Sequence, residues 1–269
     1  MTGVQTCALP ISGFDWLAPY YRSITACLQF GMTPREILLG SFSKADDPSS
    51  GGRQMPNHYG QIDRQILSVS SPVASQLLHA VGIALAARLR GTGQVALTVT
   101  GEGSSNQGDV HEGLNFAAIH RLPFIYVVEN NGYAISVPTR AELPVGDVAA
   151  RAAAYGIPGV VVDRTDPVGC YRAAREAVRR ARAGDGPTLI EAKVAEGVGR
   201  GVMPFSFISL SASKQLQLQC NERHQPRRHL SHHKLPLQHI KKLCRQKKKH
   251  QSLSVKLHLL RFVIIGLQF

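Results

Sequence analysis

A chain of 269 residues, 43% of them hydrophobic, can bury a sizeable core as one α/β domain. Of its 31 basic and 18 acidic side chains, 13 and one (Glu222) fall in residues 201–269, leaving 18 and 17 for the first 200; the body is nearly neutral, and the formal charge of +13 does not mark it as a nucleic-acid or membrane-surface binder. Five scattered cysteines without a CxxC pair argue against a disulfide framework or a structural zinc, and for a reducing, cytoplasmic setting.

The opening "MTGVQTCALPIS" has no basic region followed by a long apolar run and is a poor signal peptide; residues 1–12 are expected to be a foreign or disordered segment. Residues 13–195 carry clear periodicity. "SSPVASQLLHAVGIALAARLRG" predicts a helix with Ser71 as N-cap, Pro72 at its first position and Gly91 past its end, packing Val73, Leu77, Val81, Ala84 and Leu85 on a sheet. Next come a strand "QVALTVTG", a helix "DVHEGLNFAAIHR" and a strand "PFIYVVEN", one βαβ unit. "GIPGVVVD", a helix capped by Asp166 with Pro167 at its start and Gly184 at its end, and "PTLIEAKV" repeat the alternation. The expected fold class is α/β, a mostly parallel sheet with helices on both faces and ligands at the carboxyl ends of the strands.

Two such ends stand out. "GEGSSNQGDVHEG" holds Glu102 between Gly101 and Gly103, and Asn131 follows the next strand 29 residues on, so one crossover helix brings the two loops side by side. A carboxylate, an amide oxygen and a backbone carbonyl are hard ligands suited to Mg²⁺ and, through it, to a diphosphate. A dinucleotide fingerprint would need glycine at Asn106, and no P-loop is present. A lone GEG loop is more often a tight turn; the paired asparagines reverse that weighting. The rival readings are structural: Ser71 as a helix cap, Tyr21 as a core aromatic, and His111, Glu112 and His120 as solvated helix residues. His58, in "MPNHYG", is balanced between loop and site.

"GEGSSNQGDVHEGLNFAAIHRLPFIYVVENNGYAISVP" closely resembles the thiamine-diphosphate motif of the α subunit of 2-oxoacid dehydrogenase E1 components. "GGRQMPNHYG", "SSPVASQ", "YGIPGVVVD" and "GPTLIEA" resemble the same family in matching order, over roughly Asp15 to Ala192. The resemblance implies a thiamine-diphosphate-binding fold in which Glu102, Asn131 and the carbonyl of Tyr133 hold Mg²⁺, and Gly101 and Gly103 let the backbone approach the diphosphate. It assigns Tyr21 and Arg22 to the diphosphate, Ser71 and Val73 to the middle of the cofactor and its aminopyrimidine, and Ser70, Pro72, Ser75 and Gln76 to a K⁺ loop. The implied reaction is oxidative decarboxylation of a 2-oxoacid with acyl transfer to the lipoyl domain of E2, carried out with an E1 β subunit in a heterotetramer of two α and two β subunits. Glu102 and "GRQMPNHYG" resemble branched-chain members, hence 3-methyl-2-oxobutanoate; pyruvate or acetoin is the alternative substrate.

The resemblance ends after "LIEA". "KVAEGVGRGVMPFSF" stands where relatives carry a Tyr-Arg segment and a His-Ser loop, so no loop histidine is assigned. Residues 196–269 are expected to be a non-native or disordered basic tail on a gene fragment, and such a chain would bind its cofactor with little or no turnover. A rival reading makes the tail an arm for RNA, DNA or anionic lipid. Its closing "VKLHLLRFVIIGLQF" is too short and too charged to span a bilayer.

Overall fold

The computed structural model describes residues 10, 11 and 13–193; the boundary expected at 195, the tail and most of residues 1–12 lie outside the described residues. Seven strands follow in chain order: β1 (Trp16–Ala18), β2 (Ala96–Gly101), β3 (Phe124–Asn130), β4 (Tyr133–Ala134), β5 (Val137–Pro138), β6 (Gly159–Asp163) and β7 (Thr188–Lys193). Five of them form a wholly parallel sheet in the order β1-β2-β3-β7-β6, while β4 and β5 make a separate antiparallel hairpin. The register sets Gly101 opposite Glu129 and Asn130 opposite Lys193, so the strands finish together at one edge.

The helices are α1 (Ile24–Gln29), α2 (Pro34–Ser41), α3 (Gln76–Arg90), α4 (Gly108–Ile119) and α5 (Pro167–Ala183). Alternate residues of each strand point to opposite faces, which gives the sheet two cores. Leu97, Val99, Ile125, Val127 and Ile190 meet Cys27 of α1 and Cys170, Ala174 and Val178 of α5 on one face. Ala96, Phe124, Tyr126, Val128 and Leu189 meet Leu77, Val81 and Ala84 of α3 and Val110 and Leu114 of α4 on the other. Each large apolar side chain removed from water here is worth about 1.5–3 kcal/mol. A β-carbon at Gly113 would lie 2.2 Å from Leu77 Cδ2, so the last glycine of the "GEG…HEG" stretch is what lets α4 close on α3.

The strand–helix alternation matches the expectation from periodicity, and Cys27 and Cys170 are both buried and form no disulfide. Asp166 caps α5 as anticipated, its Oδ1 accepting the N–H groups of Val168 and Gly169, each at 3.0 Å. Gly184 and Gly91 end α5 and α3 in the left-handed region.

The start of α3 departs from expectation. It begins at Gln76, not at Pro72, because Ala74 takes φ +69° and the Pro72 carbonyl accepts the Ser70 and Ser75 hydroxyls. Ser71 is therefore no helix cap, and Val73, 57% exposed, is not part of the face that packs on the sheet. No described helix is long and apolar enough to cross a membrane.

Candidate functional site

The carboxyl ends of β2 and β3 are neighbours, and Glu102, one residue beyond β2, turns inward until only 1% of it is exposed. Its Oε2 accepts the Asn131 N–H at 3.4 Å. Oε1 is buried with no hydrogen-bond partner. Burial pushes this carboxyl above its usual range, the N–H groups of Glu102, Asn131 and Tyr133 pull it back, and the charge of Glu142 adds to the rise. An orphaned oxygen on a buried acid costs roughly 1–3 kcal/mol or more until a proton or a cation satisfies it.

The paired asparagines divide the work. Asn131 Oδ1 accepts the Tyr133 N–H at 3.0 Å and so stands beside Glu102, whereas Asn130 faces the protein: its Oδ1 accepts the Gly132 N–H at 2.9 Å and its Nδ2 donates to Glu191 Oε1 at 2.6 Å. Tyr133 lies on the β4–β5 hairpin opposite Pro138, which has no N–H to offer the Tyr133 carbonyl. Among the described residues no three His, Cys, Asp or Glu side chains gather around one point. A cation held here would rely on one carboxylate, one amide oxygen and carbonyl oxygen, a donor set that fits Mg²⁺ better than zinc.

Neither glycine beside Glu102 has a positive φ. The two differ in another way. A β-carbon at Gly103 would fall 2.4 Å from Ala134 Cβ, so this glycine is needed for packing against the hairpin, while one at Gly101 would meet no atom within 4 Å. The loop itself is clamped by Arg151, from the 3-10 helix Val148–Tyr155: Nη1 donates to the Ser105 carbonyl at 2.8 Å and Nη2 to Asn106 Oδ1 at 2.7 Å.

Tyr21 and Arg22 sit past β1, on the other flank of β2, at the same edge of the sheet as Glu102. The Arg22 guanidinium lies 4.7 Å from the Tyr21 ring centroid, and the Tyr21 ring stands edge-on to that of Tyr20 at 5.1 Å. Tyr20 Oη donates to Glu129 Oε2. Burial pushes the Glu129 carboxyl up to about 7, with the charge of Arg164 opposing the rise.

The segment before α3 brings three oxygens together, the hydroxyls of Ser70 and Ser75 and the carbonyl of Pro72. Gln76 is buried and sends its Nε2 to the Val99 carbonyl at 3.2 Å. Ser71 Oγ lies 3.0 Å from His58 Nε2, whose Nδ1 is 3.2 Å from the Pro56 carbonyl, and this places His58 beside the same segment. His111 and His120 keep to the helix surface, against Tyr155 and Phe116 respectively, and Glu112 is exposed.

Glu191, Arg151, Tyr20 and Glu129 escaped sequence reasoning. A charged residue inside the apolar run "TLIEA" of a buried parallel strand was the available signal for Glu191. Arg151 and Tyr20 carry no local signal, since the guanidinium and the hydroxyl bond to partners 45 or more residues away.

The chain is 53% identical over 177 residues to the 2-oxoisovalerate dehydrogenase subunit alpha of Bacillus subtilis, covering 66% of this chain and 54% of that protein. It is 40% identical over 177 residues to the pyruvate dehydrogenase E1 component subunit alpha of Staphylococcus aureus, covering 66% and 45%. The chain thus spans about half the length of these curated relatives. Benzoylformate decarboxylase from Polynucleobacter necessarius superposes with a TM-score of 0.47 at 19% identity, over 71% of this chain and 32% of that one. The sequence model of the family described as "Dehydrogenase E1 component" matches residues 6–194, which takes in every strand and helix described above, and the chain belongs to that family.

Proposed function

We propose that this chain is the α subunit of a branched-chain 2-oxoacid dehydrogenase E1 component and binds thiamine diphosphate through Mg²⁺. The observation that carries this reading is the orphaned, buried Oε1 of Glu102, a carboxylate whose Oε2 accepts the Asn131 N–H. Those three residues would hold the cation, by carboxylate, amide oxygen and backbone carbonyl, and Gly101 leaves room for a diphosphate to approach. Arg22, stacked on Tyr21, offers a planar, permanently charged fork suited to a phosphate. The Ser70, Pro72 and Ser75 oxygens would form most of a K⁺ site, and Ser71 and Val73 would lie along the cofactor. When bound, thiamine diphosphate supplies the carbanion stabilisation that lets a 2-oxoacid lose CO₂.

The chain's own part is to bind and orient. The Arg151 clamp and the Glu191–Asn130 bond hold the two metal-side loops, and no described residue is assigned to move a proton on the substrate. The 53% identity to a 2-oxoisovalerate dehydrogenase subunit, against 40% to a pyruvate dehydrogenase subunit, favours 3-methyl-2-oxobutanoate and its homologues, and a place in branched-chain amino acid catabolism in the cytoplasm. Pyruvate is the second reading, on the strength of the latter identity. Partners would be an E1 β subunit, in a heterotetramer, and the lipoyl domain of E2.

Calorimetric titration of thiamine diphosphate with Mg²⁺ into the chain assembled with a β subunit tests the reading. Saturable binding that disappears in Glu102→Ala is the expected result. A folded, assembled chain that takes up no cofactor would overturn it.

A further inference from the structure

The loop after β1 closes on itself: the Ser23 N–H donates to the Tyr20 carbonyl at 2.9 Å and the Tyr20 N–H to Ser23 Oγ at 3.2 Å. These bonds shape the turn but do not say where it sits relative to the rest of the edge. Cys27 of α1 anchors the segment that follows in the core, and one side chain ties the turn itself across to β3. Tyr20, 6% exposed, sends its hydroxyl to Glu129 Oε2 at the end of β3, 109 residues away in sequence. Because β2 lies between β1 and β3, with Gly101 in register opposite Glu129, the bond crosses the carboxyl end of β2, one residue before Glu102 in sequence.

Two groups of residues are joined in this way. On the β1 side Tyr20 supports the Tyr21 ring edge-on, and that ring in turn supports the Arg22 guanidinium. On the β3 side Glu129 immediately precedes Asn130 and Asn131. We infer that Tyr20 is a positioning residue of the cofactor site: its bond to Glu129 fixes the distance between the phosphate-side pair Tyr21–Arg22 and the metal-side group Glu102–Asn131. The inference rests on the thiamine diphosphate reading above. A diphosphate must meet an arginine at one end and a cation at the other, so affinity depends on the two being held at one separation before the ligand arrives. Losing the tether leaves both ends intact and lets their spacing vary.

The test uses Tyr20→Phe, which keeps the ring and removes the donor, Glu129→Ala, which removes the acceptor, and Glu129→Gln, which keeps an acceptor oxygen. Two quantities are read. The first is amide hydrogen exchange of residues 19–29 in the cofactor-free chain, with residues 96–101 of β2 as the internal control. The second is the Kd for thiamine diphosphate in the presence of Mg²⁺, measured on the chain assembled with its β subunit, with Glu102→Ala alongside.

Tyr20→Phe and Glu129→Ala are expected to speed exchange in residues 19–29 and to weaken the cofactor by about 5- to 30-fold, the range for one hydrogen bond to a partly buried acid. The β2 amides should stay as protected as in the parent chain. The double variant Tyr20→Phe/Glu129→Ala should be no weaker than either single one, and Glu129→Gln should recover most of the loss. Unchanged exchange in residues 19–29 would overturn the tether itself, whatever the cofactor does. Faster exchange with an unchanged Kd would overturn its role in the site. Absence of cofactor binding by the parent chain would defeat the thiamine diphosphate reading and the positioning role together, while the exchange data judged the tether separately.

Discussion

Glu191 on β7 bridges two elements beside the candidate site: Oε1 accepts the Asn130 Nδ2–H at 2.6 Å, and Oε2 accepts the Ala149 N–H at 2.8 Å. The first bond fixes the end of β3, and the second seats the 3-10 helix that carries Arg151. Glu191→Ala would strand both donors in the interior, and a loss of about 2–4 kcal/mol of folding stability is expected in urea denaturation. Glu191→Gln keeps one acceptor oxygen and should lose roughly half as much. A loss under about 0.5 kcal/mol in the alanine variant would mean that the bridge contributes nothing the solvent cannot replace.

Gly101 and Gly103 should separate packing from binding. A methyl at Gly103 collides with Ala134 Cβ, so Gly103→Ala is expected to cost about 1–3 kcal/mol in the same assay as the hairpin is displaced. A methyl at Gly101 meets no protein atom, so Gly101→Ala should fold with near-parental stability yet weaken thiamine diphosphate. Parental stability in Gly103→Ala would show that the hairpin can move aside freely.

Glu102 sets function against stability. Its buried, partly unpartnered carboxylate is costly without a cation, so Glu102→Gln should leave the cofactor-free melting temperature unchanged or raise it. The same variant should lose the rise in melting temperature that Mg²⁺ and thiamine diphosphate together bring, which at a hundredfold excess over Kd corresponds to about 2.7 kcal/mol in the parent chain. Retention of that rise would place the cation elsewhere.

Glu129 predicts a pH dependence. Its folded value, about 7, lies above the ordinary 4.5, so folding favours the protonated acid. Below about pH 4.5 the group is protonated in both states and costs nothing. As pH rises through 4.5 the unfolded chain ionises first, and stability falls until the folded group also ionises near 7. Denaturation at pH 5 and pH 8 should therefore differ by about 1–3 kcal/mol from this residue, with the chain weaker at pH 8, and Glu129→Gln should flatten that part of the profile. An unaltered profile in the variant would assign the slope to other groups.

Periodicity and turn chemistry made most of the sheet legible from the residues alone. β2, β3, β6 and β7 are apolar runs bounded by glycine, proline or asparagine, and α5 announces itself by Asp166, Pro167 and Gly184, because these signals act over a few residues. The spacing from Glu102 to Asn131 likewise implied two adjoining loops, since one crossover helix must return the chain to the neighbouring strand. β1, only three residues long, was too short to carry a pattern.

Tertiary structure decided the rest. The start of α3 moved because Ala74 adopts a left-handed conformation that no propensity favours, and only the surrounding hydroxyl and carbonyl contacts hold it there. Which of two adjacent asparagines faces Glu102 depended on Glu191, 61 residues from Asn130, and the link between the two halves of the candidate site depended on Tyr20 meeting Glu129. Local sequence determines where a strand ends and which residue types stand there. Which of their polar atoms are already satisfied, and which are left for a ligand, is settled by long-range partners that become neighbours only when the sheet assembles.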